Sequence, residues 1–156
     1  MIAKKKILIT GESGFIGSHL TAFFVKNYSD YEIHGLDMLT YAANRNYTKG
    51  LELNSNYKFH KIDISNRKEI FELFQKYNFS DVIHLAAESH VDNSIDNPLL
   101  FVTTNIVGTL NLLDAFKRYS SGRFHHVSTD EVYGDLEFGD TLFDEQTAYN
   151  PSSPYS

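Results

Sequence analysis

Lys6-Ile7-Leu8-Ile9-Thr10 runs directly into Gly11-Glu12-Ser13-Gly14-Phe15-Ile16-Gly17, and no other stretch restricts the fold of this chain as tightly. Ile7 to Ile9 is apolar without polar alternation, the pattern of a strand covered on both faces. Gly11, Gly14 and Gly17 then follow at a spacing of three. A turn this tight needs residues without a Cβ, and so does close approach of backbone to a phosphate. The helix that begins here aims its free N–H groups and positive dipole end at whatever fills the turn. That is an anion site, and a dinucleotide pyrophosphate is its usual occupant. An ordinary strand-to-helix turn also carries glycines. The strand before the triplet and the apolar helix after it give the motif its meaning.

A second strand, Glu32-Ile33-His34-Gly35-Leu36, ends in Asp37, about twenty residues past Gly17, where an acid meets the ribose hydroxyls. A carboxylate there repels a 2′-phosphate and implies NAD rather than NADP. An exposed loop acid is the plainer alternative. The G-x-x-G-x-x-G spacing resembles the variant used by short-chain dehydrogenase/reductases.

Phe15 to about Asn27 reads as a helix, with Ile16, Leu20, Phe23, Phe24 and Asn27 spaced for one buried stripe. Met38 to Asn56 is loop-like, polar and rich in Asn and Tyr, with room for a short helix. Tyr57 to Ile62 is a third strand running into Asp63-Ile64. Ser65 is placed to cap a helix whose core residues are Ile70, Phe71, Leu73, Phe74 and Tyr77. Asp81 to Leu85 is a fourth strand ending in Ala86-Ala87. Pro98 suits the first position of a long helix reaching about Tyr119. Its expected core face is Phe101, Ile106, Leu110, Leu113 and Phe116, and Gly108 would let it sit close to the cofactor or the sheet. Arg123 to Ser128 is a fifth strand. The alternation βαββαβαβ calls for an α/β, Rossmann-like doubly wound parallel sheet in the order 3-2-1-4-5. Ligands then lie across the carboxyl ends of the strands, near the crevice between the first and fourth.

The 156 residues suffice for one domain with a real core. A formal net charge of −6 points to neither a nucleic-acid partner nor an anionic membrane surface. The absence of cysteine rules out disulfides, thiolate zinc and a thiol nucleophile, and suits a cytoplasmic setting. Lys4-Lys5-Lys6 with Ile7-Leu8-Ile9 is too short for a signal peptide, and no stretch is expected to span a bilayer.

Ser128-Thr129-Asp130-Glu131-Val132-Tyr133-Gly134 follows the fifth strand, where side chains open toward a nicotinamide. Adjacent carboxyls divide into acid and base when their environments separate their pKa values. A charged helix N-terminus explains the same pair. His84, His90, His125 and His126 do not make a metal site by this reading, because His125 and His126 point to opposite sides of a strand.

Five segments together resemble the dTDP-glucose 4,6-dehydratases, which are extended short-chain dehydrogenase/reductases. They are Gly11 to Ser18, Asp37 to Asn44, His84 to Asp92, Thr104 to Thr109 and Ser128 to Gly134. The Thr129-Asp130-Glu131 triplet discriminates, since related epimerases and decarboxylases resemble Ser-Ser or Thr-Ser-Glu at this point. Glu12-Ser13 stands where Gly-Ala is usual, which would place a negative charge near the pyrophosphate, and Ala43 stands where Gly is common.

The resemblance implies bound NAD and a dTDP-glucose substrate. It assigns the cofactor to Gly11, Gly14, Phe15, Ile16, Gly17, Asp37, Met38, Leu39, Thr40, Asp63, Ile64, Leu85, Ala86, Ala87, Glu88, Ser89, Thr104 and Tyr155. Ser89 and Thr129 would contact the sugar. Tyr155 would take the 4-hydroxyl proton as hydride leaves C4, Glu131 the C5 proton, and Asp130 would protonate the departing 6-hydroxyl before hydride returns at C6. Thr129 would hold the 4-oxygen.

The family also carries a Lys four positions after this Tyr, and the chain stops at Ser156. A phenol with pKa about 10 needs roughly 4 kcal/mol of differential interaction to ionise near 7. The expectation is therefore an amino-terminal part, residues 1–156, that binds NAD without turnover, its substrate domain absent. The fifth strand would be an edge, inviting self-association, while the full-length enzyme would be a homodimer. Another nucleotide-sugar epimerase or decarboxylase, or a non-catalytic NAD-binding module, are the alternatives.

Overall fold

A computed structural model describes residues 4–139 and 142–156. Strands β1 (Lys6–Thr10), β2 (Glu32–Asp37), β3 (Tyr57–Lys61), β4 (Asp81–His84) and β5 (Phe124–His126) form one sheet. All pairings are parallel and the order is β3-β2-β1-β4-β5, as the alternation predicts. Strands three to five stop one or two residues short of the expected ends. Among the described residues β5 pairs with β4 alone.

Helices cover both faces, which is why β1 is apolar at every central position. Ile7 and Ile9 pack with Val25 of α1 (Phe15–Asn27), Ile33, Leu51 and Tyr57. Leu8 turns the other way, to Leu36, Ile70, Leu73 and Phe74 beside α2 (Arg67–Tyr77) and to Leu112 and Ala115. Each fully buried Leu, Ile or Phe contributes about 1.5–3 kcal/mol.

Of the stripe expected on α1, Leu20 and Phe24 pack partly against the core, and the rest is displaced. Its buried residues are Gly17, Ser18, Thr21 and Val25, with Ile16 and Phe23 largely exposed. The helix rides so close over the glycine turn that only small side chains fit beneath it. For α2 the cap is Asn66, whose side chain accepts from Glu69 N at 3.3 Å, rather than Ser65. The helix ends at Asn78, left-handed with φ +49, a conformation Asn tolerates. Short 3₁₀ turns at Arg45–Tyr47 and Lys49–Leu53 occupy the β2–β3 loop.

After the short α3 (Val91–Asp96), the long helix α4 (Pro98–Tyr119) starts at its proline as expected. Its buried residues are Phe101, Gly108, Asn111, Leu112 and Ala115, with Phe116 partly buried. Ile106, Leu110 and Leu113 face outward, against expectation. Val102–Gly108 is π-helical, yet Phe101, Gly108, Leu112 and Ala115, spaced 7, 4 and 3, keep the one-face period of a helix, and the expected Ile106, Leu110 and Leu113 lie on the face opposite Phe101. A Cβ on Gly108 would stand 2.5 Å from Ile64 Cγ1, so this glycine lets α4 sit against the α2 side of the core. Asn111 Nδ2 donates to the carbonyls of Ile64 and Ser65 at 3.1 and 3.0 Å. At 22 residues α4 does have the length and apolarity to cross a bilayer, contrary to expectation. In this fold one side of it is committed to the sheet.

Candidate dinucleotide site and acid turn

The glycine turn is shaped by contacts no side chain could survive. Gly11 has φ +69, and a Cβ there would lie 2.8 Å from Ala86 N. A Cβ on Gly17 would meet Gly11 O at 2.0 Å. The equivalent contact at Gly14 is 3.3 Å, so the protein presses much less on the middle glycine. Gly14 is the N-cap of α1 and makes no side-chain cap, so the first N–H groups of the helix remain available. Phe15 and Ile16 stand exposed beside them.

Asp37 is tied directly to this turn. Its Oδ2 accepts from Ser13 N at 3.0 Å and its Oδ1 from Leu39 N at 2.7 Å. Leu39 is held at φ +65, a conformation that costs a non-glycine residue about 1–3 kcal/mol and collects at ligand sites. Met38 is exposed and Thr40 half-buried on the same loop.

The β4 exit closes the other side of the crevice. Thr10 Oγ1 accepts from Leu85 N and Ala86 N at 3.2 and 3.1 Å, and lies 2.7 Å from His84 Nδ1. With its oxygen receiving two N–H groups, the hydroxyl proton goes to Nδ1. His84 is then the Nε2–H tautomer, donating to Thr109 Oγ1 at 2.9 Å. Burial, with His126 nearby, pushes its pKa down to about 3, so the ring is neutral. Both ring nitrogens are engaged by threonines, which leaves no ligand atom for a metal. Ala87 and Ser89 are exposed, and Glu88 is buried. The Asn105 side chain, in the π segment, pairs with the main chain of Glu88 through two bonds of 2.9 Å. Tyr41 OH donates to Glu88 Oε2 at 3.3 Å, joining the β2 and β4 loops.

Other assigned residues sit on the segments after β3 and in α4. Thr104 is half-buried in the π segment. Asp63 Oδ1 accepts from Ser65 N at 2.8 Å, and the Ile64 side chain is buried in the core rather than turned to solvent. Glu12 departs from expectation. Its side chain does not face the turn but is fully buried over Gly35, with Oε1 2.5 Å from Arg45 Nη1 and Oε2 2.8 Å from Tyr57 OH. Burial raises the Glu12 pKa, while Tyr57 and Arg45 oppose the shift.

Asp130 and Glu131 open a four-residue 3₁₀ turn, Asp130–Tyr133, with both side chains exposed. Thr129 caps it, its hydroxyl accepting from Glu131 N at 3.2 Å. Asn150 N donates to Val132 O at 2.9 Å and so pins the segment carrying Tyr155 against this turn. The Tyr155 ring meets Phe101 of α4 edge-on at 6.4 Å. A depression of about 530 Å³ lined by Lys5, Asn78, Phe79, Asp81 and Gly122 lies at the opposite end of the strands.

Sequence reasoning gave Arg45 no role, and Thr10, His84, Asn105 and Thr109 entered it only within longer stretches, with no part assigned to their side chains in building the site. Thr10 and His84 are register partners at the ends of β1 and β4, a juxtaposition readable once the strand order is known.

A dTDP-glucose 4,6-dehydratase of Haemophilus influenzae is 49% identical over 96% of this chain and 47% of its own length. The dTDP-glucose 4,6-dehydratase of Streptomyces venezuelae, solved with NAD bound, superposes with a TM-score of 0.84 at 37% identity, covering 96% of this chain and 47% of that one. The UDP-Glc/GlcNAc 4-epimerase of Campylobacter jejuni gives 0.87 at 32% identity, covering 97% and 44%. The chain spans about half the length of the curated relatives it matches. Residues 8–156 match the family model described as GDP-mannose 4,6 dehydratase, and the chain belongs to that family.

Proposed function

We propose that this chain is the NAD-binding part of a dTDP-glucose 4,6-dehydratase, a lyase forming the 4-keto-6-deoxy sugar nucleotide. The observation that carries the reading is the 3.0 Å bond from Ser13 N to Asp37, which sets a ribose-binding acid against an anion-binding turn. The residues fit a dinucleotide. Gly11, Gly14 and Gly17 with the α1 N-terminus hold the pyrophosphate, Asp37 the adenosine ribose, and the loops after β2 and β4 flank the rest. A nicotinamide held there supplies a reversible hydride acceptor.

The chain's own groups then move protons. Tyr155 accepts the proton of the sugar 4-hydroxyl, and Thr129 hydrogen-bonds the 4-oxygen. A ketone at C4 acidifies C5–H, which Glu131 removes as general base. Asp130 protonates the 6-hydroxyl as it leaves as water. Ser89 contacts the sugar.

Residues 1–156 form the dinucleotide domain of this enzyme, with the sugar-nucleotide domain in sequence beyond them. It is cytoplasmic and works as a homodimer, without nucleic-acid or membrane partners. The apolar stripe Leu99, Ile106, Leu110 and Leu113 on α4 supplies exposed surface for self-association. The 4-epimerase likeness is the second reading, favoured by the superposition with the Campylobacter jejuni enzyme. The Thr129-Asp130-Glu131 triplet favours dehydration.

The test is a dTDP-glucose assay on the 156 residues alone and extended through the Lys and the sugar domain. The extended protein is expected to form an alkali-absorbing 4-keto product that Glu131→Gln abolishes, and the 156 residues are expected to form none. Epimerised sugar without that product would overturn the reading.

A further inference from the structure

Glu12 is a buried carboxylate that the proposed mechanism does not use. It occupies the second position of the glycine turn, yet its side chain leaves the turn and lies over Gly35 of β2. There it meets four groups: Arg45 Nη1 at 2.5 Å, Tyr57 OH at 2.8 Å, Ser13 Oγ at 3.1 Å and Thr48 Oγ1 at 3.5 Å. The second guanidinium nitrogen of Arg45 is taken by Glu52. The flat face of the guanidinium lies on the Phe59 ring, 3.8 Å from its centroid. Arg45 is therefore held on both edges and one face.

Arg45 is rooted beside the ribose acid. Asn44 N donates to Ser13 O at 2.8 Å, and Ser13 N donates to Asp37 Oδ2 at 3.0 Å. The Arg45 backbone thus starts one residue from the turn that holds Asp37. Gly35 and Asp37 are two residues apart on β2 and share a face, so Glu12 holds Arg45 against the sheet on the face of the ribose acid, with its guanidinium turned onto Phe59 and Glu52. An Arg near this position is what accommodates the 2′-phosphate of NADP, and its planar fork suits a phosphate closely.

We infer that Glu12 is a specificity-determining residue: by sequestering Arg45 against the sheet it denies a cation to a 2′-phosphate, and so reinforces the selection of NAD over NADP by Asp37. The inference rests on the cofactor reading above. It turns a departure from the usual glycine turn into a second discriminating element, acting through Arg45 from a buried side chain.

The experiment is isothermal titration of NAD and NADP separately into the 156-residue chain, with folding checked by circular dichroism. Wild type is expected to bind NAD more tightly. Glu12→Gln, of equal size, is expected to improve NADP affinity relative to NAD by at least about tenfold, the size of one charge-assisted hydrogen bond. Adding Arg45→Met to that variant should cancel the gain, which a merely structural role for Glu12 would not do. If Glu12→Gln does not fold, Glu52→Gln frees the other edge of Arg45 and should shift the ratio the same way by about threefold. An unchanged ratio in the folded variant, or a gain that survives Arg45→Met, overturns the inference and leaves the cofactor reading intact. Wild type binding neither dinucleotide overturns the cofactor reading, and this inference with it.

Discussion

Thr10 and His84 face each other across the β1–β4 pairing, and the threonine hydroxyl lies 2.7 Å from the imidazole Nδ1. The same oxygen receives Leu85 N and Ala86 N, so one hydroxyl orders the ring and the first turn of the loop that closes the crevice. Replacing Thr10 with Val keeps the shape and leaves Nδ1 and Ala86 N–H without that partner. The expected loss is about 1–3 kcal/mol. Urea denaturation of Thr10→Val against wild type measures it, and a midpoint equal to wild type would remove this bond from the account.

Stability should fall on mild acidification. His34 and His60 stack at 5.1 Å and share one bond, His34 Nδ1 to His60 Nε2, of 2.8 Å. Burial depresses both to about 4, and His84 to about 3. All three bind protons more readily in the unfolded chain, where the ordinary value is about 6.5. Their neutral forms therefore favour folding above about pH 6.5, and that contribution is lost as pH falls toward 4 and then 3. Urea midpoints taken at intervals from pH 7.5 to 4 should hold above about pH 6.5 and decline from there downward. A flat profile down to pH 4.5 would contradict the buried neutral histidines.

The glycines of the turn should separate folding from binding. A Cβ at position 17 meets Gly11 O at 2.0 Å, and main chain cannot yield there. Gly17→Ala is expected to destabilise the chain by about 2 kcal/mol or more, within the range of overpacking costs. At Gly14 the contact is 3.3 Å, so Gly14→Ala should fold with a near-normal thermal midpoint. It should nevertheless bind NAD at least about tenfold more weakly, since a methyl at the α1 N-cap would crowd a diphosphate in the proposed site. Equal effects of the two substitutions on stability would show that the turn is not packed as described.

Much of this architecture was legible because it rests on short-range signals. The apolar β1 run, the glycine spacing and the acid at the end of β2 are local, and the strand order follows from their alternation. The residues that were misread depend on partners distant in sequence or on which apolar stripe of a helix is buried. Glu12 looks like a charge at the pyrophosphate until Arg45, 33 residues later, is seen to hold it. On α4, Phe101 and Phe116 pack as expected, but α4 carries two apolar stripes, and the small and polar Gly108, Asn111 and Ala115 share the buried one with Leu112 while the larger Ile106, Leu110 and Leu113 are exposed. On α1, Thr21 and Ser18 are buried because the helix passes close above the glycine turn, a demand of tertiary packing that no amphipathic pattern encodes. Asp130 and Glu131 were located by their place after β5, and the structure puts them on one exposed turn.

The proposed function depends on the α1 N-terminus and Asp37 together holding a dinucleotide. Isothermal titration of NAD into the chain, wild type beside Asp37→Asn, is the decisive measurement. Saturable binding by wild type, weakened at least about tenfold in the folded variant by loss of the charged partner to the ribose, is the predicted result. No binding by wild type, or equal affinity in Asp37→Asn, would contradict it.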